Sequence, residues 1–461
     1  MYGKREIEKI VNNQHEYFKS AATFDYRFRK EQLQKLKDAI IKNQDEIAAA
    51  LKKDLKKSDF DIWASETGFI LRDIRHTLKN LKKWMRPVRT ATPIVLQAAS
   101  SRYEYIPLGV NLIISPFNYP FQLCFSPLAA AIAAGNTAVI KTSELSPASS
   151  SVIEKIIRET FSPEYIAYIP GEVKETQILL EQKFDHIFFT GSSRVGSIVM
   201  KAAANNLTPV TLEMGGKNPC IVHKDADPEI AARRIVYGKF MNAGQTCVSP
   251  DYLIVHKDIK KELLERINNR IRTSFSSNPA ESEDYGRIIN KNHFNRIVNL
   301  IKSSGTLLFN YGEPDVSDLY IPPVVLDNVS VDSPVMKEEI FGPILPVLTY
   351  NSIEEIITIT EKMPQSPLAL YIFSSGRKFQ KEILNRIPSG GVSINHTIQH
   401  LVNFDLPFGG KGLSGMGNYH GYHGFKTFSH ARSIYKAAAW FDFPLIYPPY
   451  KKKTKWLKKL F

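Results

Sequence analysis

Between residues 110 and 212 the chain alternates short apolar runs with longer amphipathic stretches. The apolar runs have the length of strands, and the stretches between them repeat apolar residues at helical spacing. Strands joined through helices pair in parallel, because each helix returns the chain to the same edge of the sheet. The pattern therefore predicts an α/β fold with a doubly wound parallel sheet. The predicted strands are 110–114, 138–141, 167–169, 187–189 and 210–212, and the predicted helices include 128–134, 149–160 and 195–204.

A second alternating block follows in the other half of the chain. It has predicted strands at 252–255, 324–326 and 368–373, and predicted helices at 260–272 and 295–302. Residues 7–84 show helical periodicity alone, and Pro87 and Pro93 mark the end of that block. Strand-like runs at 92–97 and 102–106 flank small residues and predict a hairpin. A chain of 461 residues has room for two or three domains.

Composition excludes several classes of protein. With 43% hydrophobic and 23% charged residues, the chain is too apolar to be disordered. Its cysteines, Cys124, Cys220 and Cys247, form no CxxC pair, which argues against a disulfide scaffold or zinc ribbon and for a reducing compartment. The net charge of +14 is largely scattered over amphipathic helices, so we expect no nucleic-acid partner. We also expect no metal site. The charged start and the lack of a long apolar run predict a cytoplasmic location.

The chain is organised around one candidate nucleophile, Cys247. Gly244 permits close approach of the backbone to a ligand, and Pro250 stops any helical run that carries the cysteine. A thiol on such a shaped loop is well placed for nucleophilic attack, although a lone cysteine is more often a buried structural thiol. The segment is Asn242-Ala243-Gly244-Gln245-Thr246-Cys247-Val248-Ser249-Pro250-Asp251-Tyr252.

Two polar candidates follow predicted strands of the first block, at the sheet edge where ligands bind in such folds. Asn118 stands between aromatic residues and prolines and could donate a fixed amide N–H to a developing oxyanion. Glu213 stands near Gly215 and Gly216 and could act as a mobile general base. A turn asparagine and a surface glutamate are the commoner interpretations of these segments when each is taken alone.

Two further strand ends indicate a nucleotide site. Lys141 and Glu144 could hold ribose hydroxyls, although a pair of solvated charges is more common. Gly191 and Ser192 precede a predicted helix, whose N-terminus offers free amides and a partial positive charge to a pyrophosphate. The spacing does not match GxGxxG, so an ordinary helix start is an equal alternative.

The candidate segments, taken together and in this order, resemble the aldehyde dehydrogenase superfamily over nearly the whole chain. Two of them are glycine-proline turns when taken alone. The resemblance is carried by the cysteine segment and by Glu213-Met214-Gly215-Gly216-Lys217, Glu339-Ile340-Phe341-Gly342-Pro343 and Pro407-Phe408-Gly409-Gly410. The closer resemblance is to the class-three branch, which includes fatty aldehyde dehydrogenases. It is carried by Cys247-Val248-Ser249-Pro250-Asp251-Tyr252 and Ser414-Gly415-Met416-Gly417-Asn418-Tyr419-His420-Gly421.

This resemblance implies oxidation of medium- or long-chain aliphatic or aromatic aldehydes to carboxylic acids, with NAD or NADP as cofactor. Cys247 would form a thiohemiacetal and then a thioester, and Asn118 with the backbone N–H of Cys247 would form the oxyanion hole. Glu213 would activate the hydrolytic water, with Glu339 as its rival or partner. The implied cofactor contacts are Lys141, Glu144, Gly191, Ser192, Glu339 and Phe341.

The resemblance also implies a homodimer and a domain plan that includes a Rossmann-type cofactor domain. Phe117 and Thr142 depart from the Trp and Pro usual in the branch, and neither change removes a group that the mechanism needs. The implied parts are a dinucleotide-binding domain (1–83 and 104–215), an α/β catalytic domain (216–425), a small β bridging element (84–103 and 426–440) and a basic tail (441–461).

The tail carries a separate hypothesis. On a helix, Trp456, Leu457, Leu460 and Phe461 share one side and most lysines lie opposite, with Lys453 as the exception. Such a segment could dock on an anionic membrane that carries fatty aldehydes. A frayed, solvated end is the commoner alternative.

Two alternatives for the whole protein stay open at this stage. One is a coenzyme-A-acylating relative, against which Glu213 argues because it suits water as the acyl acceptor. The other is a non-catalytic cofactor-binding or structural protein on the same fold, against which the joint presence of Cys247, Asn118 and Glu213 argues. The choice of NAD or NADP is also open, since Glu144 could repel a 2′-phosphate while the branch often accepts both cofactors.

Overall fold

The computed structural model describes residues 2–364, 366–442, 446–451 and 453–458. The strands are β1 (Val88–Thr90), β2 (Ala99–Pro107), β3 (Val110–Ile114), β4 (Thr137–Lys141), β5 (Ile166–Tyr168), β6 (His186–Gly191), β7 (Val210–Met214), β8 (Pro219–Val222), β9 (Tyr252–His256), β10 (Thr306–Leu307), β11 (Val324–Asp327), β12 (Ile344–Tyr350), β13 (Ala369–Phe373), β14 (Gly391–Ile394), β15 (Gly415–Met416) and β16 (Ser429–Ala437).

Helices surround these strands. They are α1 (Lys4–Lys19), α2 (Tyr26–Lys42), α3 (Gln44–Leu55), α4 (Asp59–Asp61), α5 (Gly68–Trp84), α6 (Gln122–Ala134), α7 (Pro147–Thr160), α8 (Val173–Leu180), α9 (Ser193–Ala204), α10 (Pro228–Phe240), α11 (Lys260–Phe275), α12 (Lys291–Ser303), α13 (Pro334–Lys337), α14 (Ile353–Glu361), α15 (Arg377–Arg386), α16 (Gly421–Thr427) and α17 (Lys453–Leu457). A π-helical segment, Ile62–Thr67, joins α4 to α5.

The first sheet has the strand order β15-β7-β6-β3-β4-β5. All its pairs are parallel except β15 with β7. Every residue of β3 and β4 is buried, because helices cover both faces of a sheet of this kind. The chain builds outward from β3 in one direction and then returns to place β6 on its other side. The predicted α/β, doubly wound architecture is therefore confirmed, with its switch point between β3 and β6.

The second sheet has the order β10-β11-β12-β9-β8-β13-β14 and is parallel apart from the β10–β11 pair. Its three predicted strands correspond to β9, β11 and β13. The strands β8, β12 and β14 were not predicted, since β8 begins at a proline, β14 begins at a glycine and β12 follows a glycine-proline turn, all of which are typical of loops. Residues of β8, β9 and β13 are buried throughout, so this sheet forms the centre of the second half of the chain.

The third sheet is antiparallel, with the order β1-β2-β16. The hairpin expected here is corrected in its first strand: residues Ile94–Leu96 form a 3₁₀ turn, and the strand that pairs with β2 is β1. Pro93 precedes that turn and lacks the N–H that a strand ladder needs. β2 pairs with β16 along its whole length, so segments far apart in the sequence form this element.

The helices α2, α3 and α5 pack on the first sheet through α6 and α7, whereas α1 contacts β3 and β4 directly. The apolar side chains that carried the helical periodicity of α2 and α5, including Leu33, Leu36, Ile40, Ile70 and Ile74, are fully buried in the main core. In the part of the chain that the structure describes, no helix is long and apolar enough to cross a membrane. The tail hypothesis depends partly on Leu460, Phe461 and the side chains of Trp456 and Leu457, which lie outside the described residues.

Candidate active site

A cavity of about 1090 Å³ lies between elements of the two large sheets, and we call it the central cavity. Its wall includes the first turn of α9, the loop after α10, and residues of α4 and the π-helical segment. Seven of the nine site residues suggested by the sequence line it: Asn118, Gly191, Ser192, Glu213, Cys247, Glu339 and Phe341. Lys141 and Glu144 are not among its lining residues.

The loop that carries Cys247 begins with an unusual backbone. Asn242, Ala243 and Gly244 have φ angles of 52°, 50° and 74°, so three successive residues are left-handed. A Cβ at Gly244 would overlap the carbonyl of Gly342. The expectation that Gly244 brings the backbone close to a ligand is thus corrected, since the close approach is to another loop of the protein.

Asn218 holds this loop from the other side. Its Nδ2 donates to the carbonyl oxygens of Cys247 at 2.7 Å and Ser249 at 3.0 Å. Its Oδ1 accepts the N–H of Ala369 at 2.9 Å. One buried amide therefore connects the segment between β7 and β8 to the cysteine loop and to the start of β13. Sequence reasoning assigned Asn218 no role, although it directly follows the quoted Gly-Gly-Lys segment.

Asn118 is buried against the same loop. The side-chain Nδ2 of Asn118 donates to the backbone carbonyl of Gln245 at 3.0 Å, and the backbone carbonyl of Asn118 accepts a hydrogen bond from Asn242 Nδ2 at 3.0 Å. The first contact defines which side of the amide carries nitrogen, because only the nitrogen can donate to a carbonyl. An amide has two N–H groups, so one remains for a ligand oxygen beside Cys247.

The Cys247 thiol is half-buried and faces the central cavity. Burial raises its pKa to about 12, with smaller increases from Glu339 and Glu213, against the opposite effect of the backbone N–H groups of Val248 and Cys247. The thiol of the unliganded protein is therefore protonated at neutral pH. Its proton has to leave when the sulfur attacks, and the nearby carboxylates are bases that can accept it.

Glu213 lies at the end of β7 and is only 3% exposed. Neither of its carboxylate oxygens has a hydrogen-bond partner among the residues that the structure describes. Burial raises the pKa of this carboxyl group well above its usual range. Once ionised, such a carboxylate is a strong base, because burial has destabilised its charged form.

Glu339 is held more firmly. Its carboxylate lies directly against Gly215, where a Cβ would overlap it, and it accepts a hydrogen bond from the N–H of Gly216. Burial, followed by the charge of Asp251, raises the pKa of Glu339 to about 8, while Lys217 acts in the opposite direction. Gly215 therefore makes room for a second carboxylate, and the backbone N–H of Gly216 holds it there.

A buried ion pair supports the segment that carries Glu339. Lys217 pairs with Asp251, and its Nζ donates to the carbonyls of Val335 at 2.6 Å and Glu338 at 2.9 Å. Asp251 Oδ1 accepts the N–H of Ile340 at 3.0 Å. Both charged residues occur in motifs that the sequence singled out, yet only the structure shows that they join those motifs.

The nucleotide end of the cavity is the first turn of α9. Ser192 Oγ caps this helix by accepting the N–H of Val195 at 3.4 Å, and the ring of Phe189 fills the space beside Gly191. The first-turn N–H groups of a helix have no intrahelical partners and carry a partial positive charge. This turn follows β6, at the switch point of the first sheet, and the residues present fit a nicotinamide dinucleotide.

Lys141 is the last residue of β4, and Glu144 lies in the loop that follows this strand. Lys141 is buried and its Nζ donates to the carbonyl of Thr142 at 2.5 Å, whereas Glu144 is exposed. Burial lowers the pKa of Lys141, against the opposite effect of Glu144, Glu175 and Glu172. Because β4 neighbours β3, the two residues share the sheet edge with Asn118 but stand one strand farther out.

Aromatic residues form a further part of the wall. Phe341 meets Phe117 edge to face at a centroid distance of 5.8 Å, and Phe117 in turn lies 5.5 Å from the ring of His293. Phe341 has a φ of 47°, which a non-glycine residue rarely adopts. The turn that brings Phe341 to the cavity is therefore held by its surroundings rather than by local preference.

The side of the cavity away from α9 is mainly apolar, with Phe69, Leu123, Ile398 and Phe408 among its lining residues. His420 interrupts this surface. It is 3% exposed, burial lowers its pKa to about 3, and within the described chain neither ring nitrogen has a hydrogen-bond partner. His420 belongs to a quoted motif, but its place in the cavity could not be read from the sequence.

A sequence model described as the aldehyde dehydrogenase family matches residues 1–434. The chain belongs to the aldehyde dehydrogenase family. It is 46% identical to the 4,4'-diaponeurosporen-aldehyde dehydrogenase of Staphylococcus aureus, over 99% of each chain. It is 43% identical to a mouse aldehyde dehydrogenase named as dimeric and NADP-preferring, over 93% of this chain and 94% of that protein. A substrate-bound structure of Staphylococcus aureus AldH has a TM-score of 0.96, with 45% identity, 98% coverage of this chain and 99% of that one.

The resemblance to the class-three branch and the predicted fold are thus confirmed. This aldehyde dehydrogenase is an oxidoreductase that oxidises aldehydes to carboxylic acids with a nicotinamide cofactor, NAD(P). Because the protein is an enzyme, the alternative of a non-catalytic cofactor-binding or structural protein is excluded.

Proposed function

We propose that Cys247 is the nucleophile of this aldehyde dehydrogenase, that Asn118 and the backbone N–H of Cys247 bind the oxyanion, and that Glu213 is the principal general base. The observation that carries this proposal is the convergence of all three residues on one cavity, from two loops and the end of strand β7. A thiol, an amide donor and a buried carboxylate are the groups that acyl transfer through a covalent intermediate needs.

The first half-reaction forms a bond between Cys247 Sγ and the aldehyde carbon. The thiol proton passes to a neighbouring carboxylate, and the carbonyl oxygen takes the negative charge between the two N–H donors. Donors fixed before the reaction stabilise that charge without reorganising. When bound, the nicotinamide supplies the hydride acceptor that converts the thiohemiacetal to a thioester.

The second half-reaction hydrolyses the thioester. Glu213 accepts a proton from water, the water oxygen bonds to the acyl carbon, and the C–S bond breaks to release the carboxylic acid and Cys247. The raised pKa of Glu213 favours this step, because it moves the carboxyl group from its usual acidic range towards the working pH, where a general base is most effective. The same residue favours water over coenzyme A as the acyl acceptor.

Cofactor binding is proposed for six residues. Gly191 and Ser192 would hold the pyrophosphate at the first turn of α9, where helix amides and the helix dipole favour phosphate. Lys141 and Glu144 would bind the adenine ribose, and their shared sheet edge supports this assignment. Glu339 and Phe341 would hold the nicotinamide end, because both line the cavity near Cys247.

The substrates proposed are long aliphatic or aromatic aldehydes. The apolar wall that includes Phe69, Leu123 and Phe408 favours such chains over small polar aldehydes. The Staphylococcus aureus relative, by its name, acts on the aldehyde of 4,4'-diaponeurosporene, and it covers 99% of this chain.

A homodimer is proposed from the third sheet. β16 is its edge strand in the described chain, and nearby exposed apolar side chains include Ile94, Tyr435 and Trp440. An open strand edge with apolar neighbours favours pairing with a second copy. Light scattering during size-exclusion chromatography tests this: a dimer mass supports the proposal, and a monomer at micromolar concentration contradicts it.

Two further proposals concern organisation. We propose that the cofactor domain comprises 1–83 and 104–215, the catalytic domain 216–425 and the bridging element 84–103 and 426–440, which the separate three-stranded sheet supports. We also propose peripheral membrane contact by the basic tail, 441–461. Liposome sedimentation of the full chain and a tail-deleted chain tests it, and equal binding by both would contradict it.

The decisive experiment measures NADH and NADPH formation with hexanal, decanal and benzaldehyde for the wild type and Cys247→Ala. We expect turnover by the wild type, highest with the longer or aromatic substrates, and loss of turnover in the variant. Full activity in Cys247→Ala would remove the proposed nucleophile, while equal rates with short and long aldehydes would remove the proposed substrate class.

A further inference from the structure

Buried polar contacts join the N-terminal helices to the region of the nucleophile, and none of the proposed chemical steps uses them. Lys57 Nζ lies 2.8 Å from Glu66 Oε1, and both side chains are fully buried. The other carboxylate oxygen of Glu66 accepts the N–H of Gln122 at 2.8 Å, at the start of α6. The ammonium group of Lys57 also lies 3.8 Å from the ring centroid of Tyr119.

Tyr119 continues this series of contacts to the cysteine loop. Its phenol oxygen shares a hydrogen bond of 2.7 Å with Thr246 Oγ1, and the adjacent Asn118 donates to Gln245. The adjacent residues Asn118 and Tyr119 therefore bind the adjacent residues Gln245 and Thr246 of the cysteine loop. A single bond would let the segments pivot about it, whereas two define both their separation and their rotation. These segments carry Asn118 Nδ2 and the N–H of Cys247.

Stability alone gives a weak reason for the buried pair of Lys57 and Glu66. Removal of two charges from water offsets much of their attraction, and apolar replacements of such pairs are often as stable. The pair has a clear geometric consequence instead. An ammonium group over an aromatic face fixes the position of that ring, and the ring here belongs to Tyr119.

We infer that Tyr119 is a positioning residue for the oxyanion site, and that the Lys57–Glu66 pair holds its ring in place. The inference rests on the proposed function, in which Asn118 and Cys247 supply the oxyanion donors. Tyr119 acts through Thr246 and Asn118, so loss of its hydroxyl group changes the spacing of the oxyanion donors. Tyr119 and Thr246 also line the central cavity, and Tyr119→Phe keeps the aromatic ring in that wall.

The test compares three changes in the full-length enzyme: Tyr119→Phe, Thr246→Val and the combination of Lys57→Met with Glu66→Gln. We expect Tyr119→Phe to lower kcat about tenfold with KM within about twofold, because a small displacement of transition-state donors costs rate without weakening ground-state binding. Thr246→Val should have a similar effect, and the Tyr119→Phe/Thr246→Val double variant should be no worse than either. The kcat of the Lys57→Met/Glu66→Gln variant should fall about fivefold, because Tyr119 keeps its hydroxyl group but loses the cation above its ring.

Two readouts separate positioning from a merely structural role. Rates are expressed per reactive thiol, counted by mass spectrometry as the fraction of Cys247 that iodoacetamide alkylates in protein eluting at the native position in size-exclusion chromatography, so that misfolded protein does not count. The primary isotope effect with a 1-deuterated aldehyde should rise in all three changes, as the chemical step becomes slower. Lys260→Met/Asp327→Asn is the matched control, because that Lys–Asp pair of 2.6 Å lies away from the central cavity.

Unchanged kcat per thiol and an unchanged isotope effect in Tyr119→Phe would overturn the inference. A loss of equal size in the Lys260→Met/Asp327→Asn control would overturn it as well. The variant Cys247→Ala distinguishes a failure of the positioning role of Tyr119 from a failure of the proposed function. If that variant is inactive while Tyr119→Phe behaves as wild type, only the positioning inference fails, and if that variant remains active, the proposed function fails first.

Discussion

Glu213 and Glu339 face the same cavity, yet the protein surrounds these carboxyl groups in different ways. Glu213 ends a buried strand and has no hydrogen-bond partner for either oxygen within the described residues. Glu339 lies on a loop, accepts the N–H of Gly216 and stands near the Lys217–Asp251 pair. Burial raises the pKa of Glu339 to about 8 and the pKa of Glu213 well above its usual range.

The contrast suggests a division of labour. A carboxylate without partners is free to bind a water molecule and take its proton, whereas one held by a backbone N–H and a neighbouring ion pair is suited to positioning. Identical side chains in one cavity therefore differ in role through their supports. The following predictions test this division, from the largest expected effect to the smallest.

Glu213→Gln should lower steady-state turnover about 10³-fold, because general-base catalysis contributes roughly 10²–10⁴ and the amide cannot accept the proton. The first half-reaction should survive, so a burst of reduced cofactor should precede the slow phase. Mass spectrometry of acid-quenched enzyme should then detect an acyl group on Cys247. If Glu339→Gln accumulates this thioester and Glu213→Gln does not, the two roles are reversed.

Gly215→Ala should lower kcat/KM about 10²-fold, since the new methyl group overlaps the carboxylate of Glu339 and displacements of about 1 Å near a reacting centre cost that much. Gly3→Ala is the matched control, because its methyl group would have only ordinary van der Waals contact. Normal kinetics in Gly215→Ala would show that the position of Glu339 does not matter for the reaction.

Glu339→Gln should reduce kcat about tenfold, because the amide keeps the shape of a carboxyl group whose pKa of about 8 leaves it mostly neutral, and it loses only the ability to ionise. We expect its KM for the cofactor to rise, as the proposed nicotinamide contact weakens. Steady-state kinetics with varied NAD and NADP measure both constants. A loss as large as that of Glu213→Gln would end the distinction between the two residues.

The smallest effect concerns stability and pH. The pKa of Glu339 is raised from 4.5 to about 8 on folding, so between these values the folded state binds a proton that the unfolded state has lost. The contribution of Glu339 to the free energy of unfolding must therefore fall as pH rises from about 4.5 to about 8, and level off above. Denaturant unfolding of the wild type and Glu339→Gln across this range should show a steeper decline for the wild type. Parallel curves would contradict the raised pKa.

Much of the fold could be predicted because its signals are local. β3 was predicted with its observed bounds, and the predicted helix 260–272 lies within α11. The strand expected at 92–97 was wrong, because Pro93 and the pairing of β1 with β2 outweigh a short apolar run. The strand β8 was missed, since it begins at Pro219 directly after a glycine-rich segment, and prolines and glycines are typical of turns.

The sequence by itself also determined which chemical groups the site contains. Cys247, Asn118 and Glu213 each stand in a local segment of glycines, prolines or strand ends, and such segments are visible without a structure. Tertiary structure alone decided how these groups are supported. Asn218 holds the cysteine loop, Gly244 packs on another loop and Tyr119 meets Thr246 across 127 positions of the chain. Hydrogen bonds and close packing of this kind depend on the distance between residues in space. The sequence neighbours of a residue do not specify that distance.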